Sequence, residues 1–290
     1  MDSPAAFARR GFWSLGRRSI PQQLATLVLV AVLPAFFASI WHLLEERERD
    51  RRLAIDQVRQ IADTTANRLQ GRISDYVNTL TLIAGQPLVR AMRSGICDPL
   101  ILSFVRLNPE FVTIGTRDRE GNPICTFRPD PPDSAELLQF PWFAPALAQP
   151  GFYASDIFFA PRAGRWVTVL TTPVRADGGA TQGMVALPLD LLTLNQQIMK
   201  DVPEGALVTV LDRQAQIIMR SVDLRSYLGR SIADQLAGVR DAVDANIVGV
   251  FELQDQTGTL RIFAYRRMPS TGWLVVAGLP REQVFAPADA

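Results

Sequence analysis

An uncharged apolar run near the start of the chain is the feature that most constrains its architecture. Residues 24–44 read LATLVLVAVLPAFFASIWHLL and contain no Asp, Glu, Lys or Arg. This length matches the about 20 residues that an α-helix needs to cross the hydrocarbon core of a bilayer. Pro34 is compatible with such a helix, because membrane-spanning helices tolerate proline kinks. The run therefore predicts a transmembrane helix over residues 24–44.

The charges on either side of this run predict its orientation. Residues 1–23 carry several arginines and a single acid, whereas acids and arginines are mixed after residue 44. By the positive-inside rule, residues 1–23 form a cytoplasmic tail, the helix lies in the inner (cytoplasmic) membrane, and residues after about 45 face the periplasm or extracellular space. A cleaved signal peptide is the alternative, since Arg9-Arg10-Gly11-Phe12 resembles a twin-arginine signal. The length of the run and the lack of a small-x-small cleavage site favour a retained anchor.

Charge and histidine content argue against several function classes. The chain has 30 Lys+Arg and 29 Asp+Glu, for a formal charge of +1, so no overall basic field exists to bind nucleic acid. The single histidine, His42, argues against histidine-based catalysis and His-rich metal sites. Asp130 and Asp133 lie in the segment RPDPPD, which is interpreted as a turn rather than a catalytic pair. No hydrolase, metalloprotease or phosphate-loop motif is present, so we expect no enzymatic activity, metal or cofactor.

A long amphipathic helix is predicted after the apolar run, over residues 45–93. Its apolar positions recur at spacings of three and four, and they are Val58, Ala62, Thr65, Leu69, Ile73, Tyr76, Leu80 and Ile83. Such a stripe can pack on the chain's own sheets, or it can pair with a second copy of the chain. Both interpretations stay open, and the second predicts a homodimer through this stalk helix.

The remainder of the chain has the alternating pattern of β-strands, in two successive groups. The first group falls in residues 94–200 and the second in residues 201–284, with turn residues around Pro203 between them. Each group contains a strand, an Asp-containing turn and a returning strand, in VTIGTRDREGNPI (112–124) and VTVLDRQAQII (208–218). The predicted fold class is therefore α+β, with a transmembrane helix, a stalk helix and two tandem antiparallel-sheet lobes. Residues 285–290 are interpreted as the start of a connection to a second transmembrane helix.

Three segments carry a likeness to a known family. They are Cys97 followed by IGTRDREGNPICTF (114–127), then FPWFAPALAQPGFYASDIF (140–158), then RWVTVLTTPVRADGGATQGMVALPLDLL (165–192). With the anchor and the long helix, they resemble the double Cache family of bacterial extracytoplasmic sensors, whose lobes are PAS-like. The likeness extends from Arg49 to about Val284. It implies a membrane-distal lobe over residues 94–200 and a membrane-proximal lobe over residues 201–284.

The resemblance also implies a place in signal transduction. Family members feed histidine kinases of two-component systems, diguanylate cyclases or chemoreceptors across a second membrane span. The sequence contains no glycine-rich ATP-binding segment, no phosphoacceptor histidine motif and no Gly-Gly-Asp-Glu-Phe run. An output enzyme is therefore expected only beyond Ala290 or in a partner chain.

The two cysteines, Cys97 and Cys125, both follow the predicted anchor and so fall in an oxidising compartment. A redox switch would need a reactive thiolate, and a metal site would need further ligands. A structural disulfide needs only these two residues, and it is the interpretation we favour.

The resemblance implies a small-molecule site between the distal sheet and a helix that begins at Trp142. The candidate ligand-binding residues are Trp142, Phe143, Tyr153, Asp156 and Arg165, which combine aromatic walls with one acid and one base and suit a small polar organic ligand. The alternative is that the aromatic residues belong to the core and that Asp156 ends a hairpin.

Two departures from the family pattern bear on the ligand. Members that bind amino acids carry an arginine two positions before the tryptophan, where it can pair with an α-carboxylate, but this chain has Phe140 there. They also place an aspartate, positioned for an α-amino group, on the strand that here reads GMVALPL (183–189). In this chain that strand has no acid before Asp190. The departures argue against an amino acid and favour a less charged ligand or an empty pocket. The alternative function is a membrane-tethered periplasmic interaction or assembly protein without a small ligand.

Overall fold

The computed structural model describes residues 20–128 and 131–282 of the chain. It has the predicted α+β architecture, with a long N-terminal helix and two antiparallel sheets. The chain divides into two compact units between Arg51 and Arg52. Most of the predicted tail over residues 1–23 and the whole predicted connection over residues 285–290 lie outside the described residues.

The first helix, α1 (Ile20–Ala84), contains the predicted transmembrane segment and most of the predicted stalk. Many side chains of residues 24–44 lie outside the described part of the chain. Within residues 20–128 and 131–282, no helix has the length and apolar character needed to cross a bilayer.

From Arg52 onward, the apolar stripe of α1 is buried in the core of the protein. Val58, Leu69 and Leu80 are each 0% exposed. They share one apolar cluster with Leu187 of the first sheet and Val275 of the second. Of the two interpretations of the stripe, the structure therefore shows packing on the chain's own sheets.

The first sheet has the strand order β2-β1-β6-β5-β3, with β4 also paired to β5, and all of its pairings are antiparallel. Its strands are β1 (Gly115–Asp118), β2 (Pro123–Thr126), β3 (Tyr153–Ala154), β4 (Phe158–Ala160), β5 (Arg165–Arg175) and β6 (Thr181–Asp190). The helices of this part are α2 (Pro87–Arg90), α3 (Pro99–Leu107), α4 (Ser134–Leu138), α5 (Phe143–Ala148) and α6 (Leu191–Met199).

The second sheet repeats the order of the first, as β8-β7-β11-β10-β9. Its strands are β7 (Leu207–Leu211), β8 (Ile217–Arg220), β9 (Val248–Gln254), β10 (Leu260–Arg267) and β11 (Leu274–Pro280), accompanied by α7 (Leu224–Tyr227), α8 (Ala233–Leu236) and α9 (Arg240–Ala245).

The turns that open the two sheets are built alike, by an aspartate that accepts hydrogen bonds from backbone N–H groups further along the turn. Asp118 accepts from the N–H of Asn122 at 2.7 Å, and Asp212 accepts from that of Gln216 at 2.9 Å. Gly121 has a φ of 87°, which an L side chain rarely adopts. The internal similarity seen in the sequence therefore corresponds to one module present twice.

A buried carboxylate joins α1 to α6. Glu110 is 2% exposed, accepts a hydrogen bond from the Tyr76 hydroxyl at 2.7 Å, and accepts another from Gln197 Nε2 at 3.2 Å. Burial, together with this hydrogen bond, raises the pKa of Tyr76, so the hydroxyl remains a donor at neutral pH. The stalk is thus connected to α6, the segment between the two sheets, by polar as well as apolar contacts.

Cys97 and Cys125 form a disulfide, with a Cα–Cα distance of 5.2 Å. Cys125 lies in β2 and is 5% exposed. Its backbone N–H donates to the Thr116 hydroxyl of β1 at 3.1 Å. The bridge therefore attaches the segment before α3 to the hairpin that begins the first sheet.

The turn between β9 and β10 has an unusually acidic aspartate. Burial raises the pKa of Asp255, but hydrogen bonds from Thr257 and Arg261 oppose it and bring the pKa from 3.8 to about 2. The Arg261 Nε lies 2.6 Å from Asp255 Oδ2, and the Thr257 backbone N–H lies 2.7 Å from Oδ1. The folded state therefore stabilises the ionised form of Asp255 more than the unfolded state does.

We expect Asp255→Asn to lower the free energy of unfolding at pH 7 by about 2 kcal/mol. Because the pKa is depressed in the folded state, this stabilisation is present above pH 3.8 and is lost as the pH falls toward about 2. Urea unfolding at several pH values should show the difference between the variant and the parent narrowing from pH 5 to pH 3. A difference that stays constant across this range would contradict the assignment.

Candidate ligand-binding cavity

A cavity of about 130 Å³ lies against one face of the first sheet. Its floor comes from alternate positions of the strands, such as Val167, Val169 and Ala186. Neighbouring positions, such as Leu170 and Leu187, point to the opposite face and pack in the cluster that contains α1. The sheet therefore separates the cavity from the stalk helix by one layer of backbone.

Residues 131–158, which include α4 and α5, cover the cavity. The Asp133 side chain accepts a hydrogen bond from the backbone N–H of Glu136 at 2.8 Å, which caps the N-terminus of α4. Phe140 follows α4, and its ring lies 5.0 Å from that of Phe158 in β4. Trp142, directly before α5, is 7% exposed and also lines the cavity. Aromatic and aliphatic side chains therefore form most of the wall.

Some charged side chains of the cavity lining form ion pairs with one another, and others do not. Both carboxylate oxygens of Glu136 accept hydrogen bonds from Arg162, at 2.6 to 3.0 Å. Arg117 and Arg128 also line the cavity, and neither has a carboxylate within 4.0 Å among the described residues. Burial lowers the pKa of Arg117 from 12.5, which leaves it protonated at neutral pH. The described lining thus carries three cations and one anion.

The indole N–H of Trp142 is a buried donor without an acceptor in the part of the chain that the structure describes. Leaving a buried donor unpaired costs about 1–3 kcal/mol. Trp142 lines the cavity, but this nitrogen is shielded from it, so a ligand acceptor would reach the N–H only if the wall moved.

Of the five candidate residues named from the sequence, the structure places Trp142 in the cavity lining and Phe143 directly behind it. Phe143 is 1% exposed and shares an apolar cluster with Trp142, Leu137 and Met184. The ring centroids of Trp142 and Phe143 are 5.9 Å apart. Phe143 therefore supports the wall instead of forming its surface.

The other three candidates contact protein groups elsewhere. Asp156 accepts hydrogen bonds from Arg213 Nε and Gln214 Nε2, both at 3.0 Å, at the turn that opens the second sheet. The Arg213 guanidinium also lies over the Tyr153 ring, 5.3 Å from its centroid. Arg165 pairs with Asp190, the N-cap of α6, at 2.7 Å. Tyr153 also packs against the apolar cluster that contains Trp142, whereas Asp156 and Arg165 do not belong to it. Contact between these three residues and a ligand stays a prediction.

Sequence reasoning did not single out the cavity arginines. Arg117 lies in a four-residue strand and Arg128 follows the next strand, so they are 11 positions apart in the chain. The signal that could have identified Arg117 is alternation, which places it on the same face of β1 as Gly115, with Thr116 between them on the other face. No comparable periodicity marks Arg128.

Residues 48–288 of this chain match the family model dCache_1, described as a Cache domain. No curated protein matches the chain. Solved structures with a similar fold include the ligand-binding domain of the Pseudomonas fluorescens chemoreceptor CtaA in complex with L-isoleucine, with a TM-score of 0.62 and 16% identity over 83% of this chain and 98% of that chain. The ligand-binding domain of the Pseudomonas aeruginosa PAO1 chemoreceptor PctB in complex with L-Gln has a TM-score of 0.61 and 16% identity over 81% of this chain and 94% of that one.

The extracellular domain of a third protein, assigned as the histidine kinase rpHK1S-Z16, has a TM-score of 0.63 and 14% identity over 83% of this chain and 98% of that chain. These identities support a shared fold only. The family model, in contrast, spans both sheets and the part of α1 that packs on them. The chain therefore belongs to the Cache domain family, in its double form dCache_1.

Proposed function

We propose that this chain is the extracytoplasmic ligand-sensing region of a membrane-bound signal transduction receptor. It binds a small organic molecule in the cavity of the first sheet and relays binding to a kinase or diguanylate cyclase output domain elsewhere. No catalytic role is proposed for the chain itself. Membership of the Cache family supports the sensor role.

The observation that carries the proposal is the cavity under α4 and α5. Its walls are mostly apolar and contain a few polar groups, a composition typical of small-molecule sites. Arg117 and Arg128, which have no carboxylate within 4.0 Å in the described part of the chain, are groups that a ligand would satisfy. A protein that used this lobe only for assembly would have no need of them.

The relay is proposed to run through α1. Arg68 donates to the Ile198 carbonyl of α6 at 3.0 Å, and Asp63 pairs with Arg266 of β10 at 3.0 Å. A movement of the first sheet on ligand binding would therefore shift the stalk part of α1. This requires that the shifted and unshifted conformations differ in their affinity for the ligand. The apolar run over residues 24–44 is proposed as the membrane anchor, with the inner membrane as the location. A homodimer through the stalk stays a prediction and would use side chains outside the buried stripe.

The proposal predicts that filling the cavity abolishes ligand binding. Ala186 lines the cavity from β6, and Ala186→Phe would place a ring in the space that the ligand occupies. Thermal unfolding of the purified chain, measured against a metabolite library, should show compounds that raise the melting temperature of the parent by mass action. The variant should lose these increases while remaining folded.

The matched control is Ala180→Phe, which makes the same change at an exposed position of the β5–β6 turn. It should respond to each compound as the parent does. A library without a single stabilising compound would contradict the sensor proposal and favour the alternative of a membrane-tethered interaction or assembly protein.

A further inference from the structure

From the charge and shape of the cavity we infer the class of ligand: a carboxylate with an apolar aliphatic or aromatic body and without an ammonium group. This inference rests on the proposed function, because it names the ligand of the same cavity. The described lining contains Arg117, Arg128 and Arg162 against Glu136 alone. A bound monocarboxylate would reduce this excess of positive charge.

The anion end of the site is at β1 and β2. The Arg117 guanidinium makes one hydrogen bond within the described part of the chain, from Nη1 to the Gly121 carbonyl at 2.9 Å. Its remaining N–H groups are therefore open to an acceptor, and Arg117 is 6% exposed. Arg128 is half-buried, and its side chain has no hydrogen bond or ion pair among residues 20–128 and 131–282. Arginines held away from bulk water in this way favour a carboxylate, which they bind through two parallel hydrogen bonds.

The apolar end of the site is at β5, on the other side of β6. The strand order β2-β1-β6-β5 places Val167 and Val169 two strands away from Arg117. Two strand spacings amount to about 10 Å across the sheet. Along β6, the Arg117 partner Met184 and the Val169 partner Pro188 are a further four residues apart, which adds an offset of about 13 Å in the strand direction. Phe140 and Phe158 enclose the same end from above. The cavity therefore suits an acid of about four to nine carbons, with its carboxylate over β1 and its body over β5 and β6.

Among the lining residues that the structure describes, no acidic side chain is left to pair with an ammonium group. The one acidic side chain in its described lining, Glu136, already accepts from Arg162 with both oxygens. An α-amino group near Arg117 and Arg128 would also be repelled by them. In the sequence, Phe140 favours a less charged ligand. The fold, however, brings Arg117 and Arg128 into the cavity lining, and these two side chains can pair with a carboxylate.

The test is a matched ligand series applied to the purified chain. Straight-chain, branched and aryl carboxylates of four to nine carbons are each compared with the corresponding primary amide and with the α-amino acid. One set is 4-methylpentanoate, 4-methylpentanamide and leucine. At least one carboxylate should raise the melting temperature, and calorimetry should give a dissociation constant about tenfold or more below those of its amide and its amino acid.

Arg128→Gln is the principal variant, because Arg128 is only half-buried and we expect the variant to fold as the parent does, which circular dichroism checks. It should weaken carboxylate binding about tenfold or more, with a smaller effect on the amide. Arg119→Gln makes the same substitution at an exposed position of the first hairpin and should bind as the parent does. Arg117→Gln should act like Arg128→Gln, and its circular dichroism reports whether this more buried site still folds.

The outcomes distinguish the ligand class from the function. If the amides or amino acids bind as tightly as the carboxylates, or if binding is equal in Arg128→Gln and the parent, the inference is overturned while the sensor role stands. If no carboxylate binds but other metabolites from the library do, the inference is likewise overturned. If no compound of any class binds, the proposed function fails together with it.

Discussion

Replacing Leu69 with alanine is expected to lower the free energy of unfolding by about 3 kcal/mol, as large-to-small changes in a packed core do. Leu69 is 0% exposed and lies in the middle of the buried stripe of α1. The side chain packs in the same cluster as residues of both sheets, so the cavity it leaves cannot close without moving more than one element. Urea unfolding followed by circular dichroism measures the loss.

Leu82→Ala is the matched control for this prediction. Leu82 lies on the same helix and is 69% exposed, so its truncation should change the free energy of unfolding by no more than about 0.5 kcal/mol. If the stripe served as a dimer interface, the loss caused by Leu69→Ala would depend on protein concentration. A loss independent of concentration is the result expected for a stripe buried within one chain.

The strands could be predicted where side chains alternate over a long enough stretch. The sequence predicts strands over residues 165–175 and 183–189, and β5 and β6 lie there, because β-branched and leucine side chains mark both faces of each strand. The segment FYASDIFF over residues 152–159 also predicts a single strand, but the structure divides it into β3 and β4. The reason lies at Ser155, whose hydroxyl accepts a hydrogen bond from the Val169 N–H at 2.8 Å and so interrupts the backbone pairing with β5. A single side-chain hydrogen bond of this kind leaves no periodic signal.

The short helices could not be predicted by the same means. The segment RPDPPD predicts a turn, whereas in the structure Asp133 at its end is the N-cap of the five-residue α4. A helix of this length contains little more than one turn, so an apolar period cannot be recognised in it. The cap residue followed by Ser-Ala-Glu was the available signal.

The site was predictable only in part, because its composition depends on strand order. Trp142 could be named from the aromatic segment that precedes α5, and it lines the cavity. Asp156 and Arg165 looked equally suitable in the sequence, but the fold gives them the protein partners Arg213 and Asp190. Arg117 reaches the cavity because β1 lies beside β6, and neighbouring residues in the chain do not determine that pairing.

The disulfide provides the second large effect. The double variant Cys97→Ser/Cys125→Ser is expected to lose about 3–4 kcal/mol of unfolding free energy, because the bridge closes a loop with a sequence separation of 28 and restricts the unfolded chain. The same loss should follow when the parent is unfolded in the presence of a reductant. Urea unfolding with and without reductant measures both.

The double variant is its own control, since reductant should leave its unfolding curve unchanged. Neither cysteine lines the cavity, so ligands that stabilise the parent should still raise the melting temperature of the variant from its lower starting point. Equal unfolding free energies for the oxidised parent and the variant would contradict a stabilising role for the bridge. Loss of ligand binding in a folded variant would show instead that the bridge holds the first hairpin, and with it Arg117, in the position that binding requires.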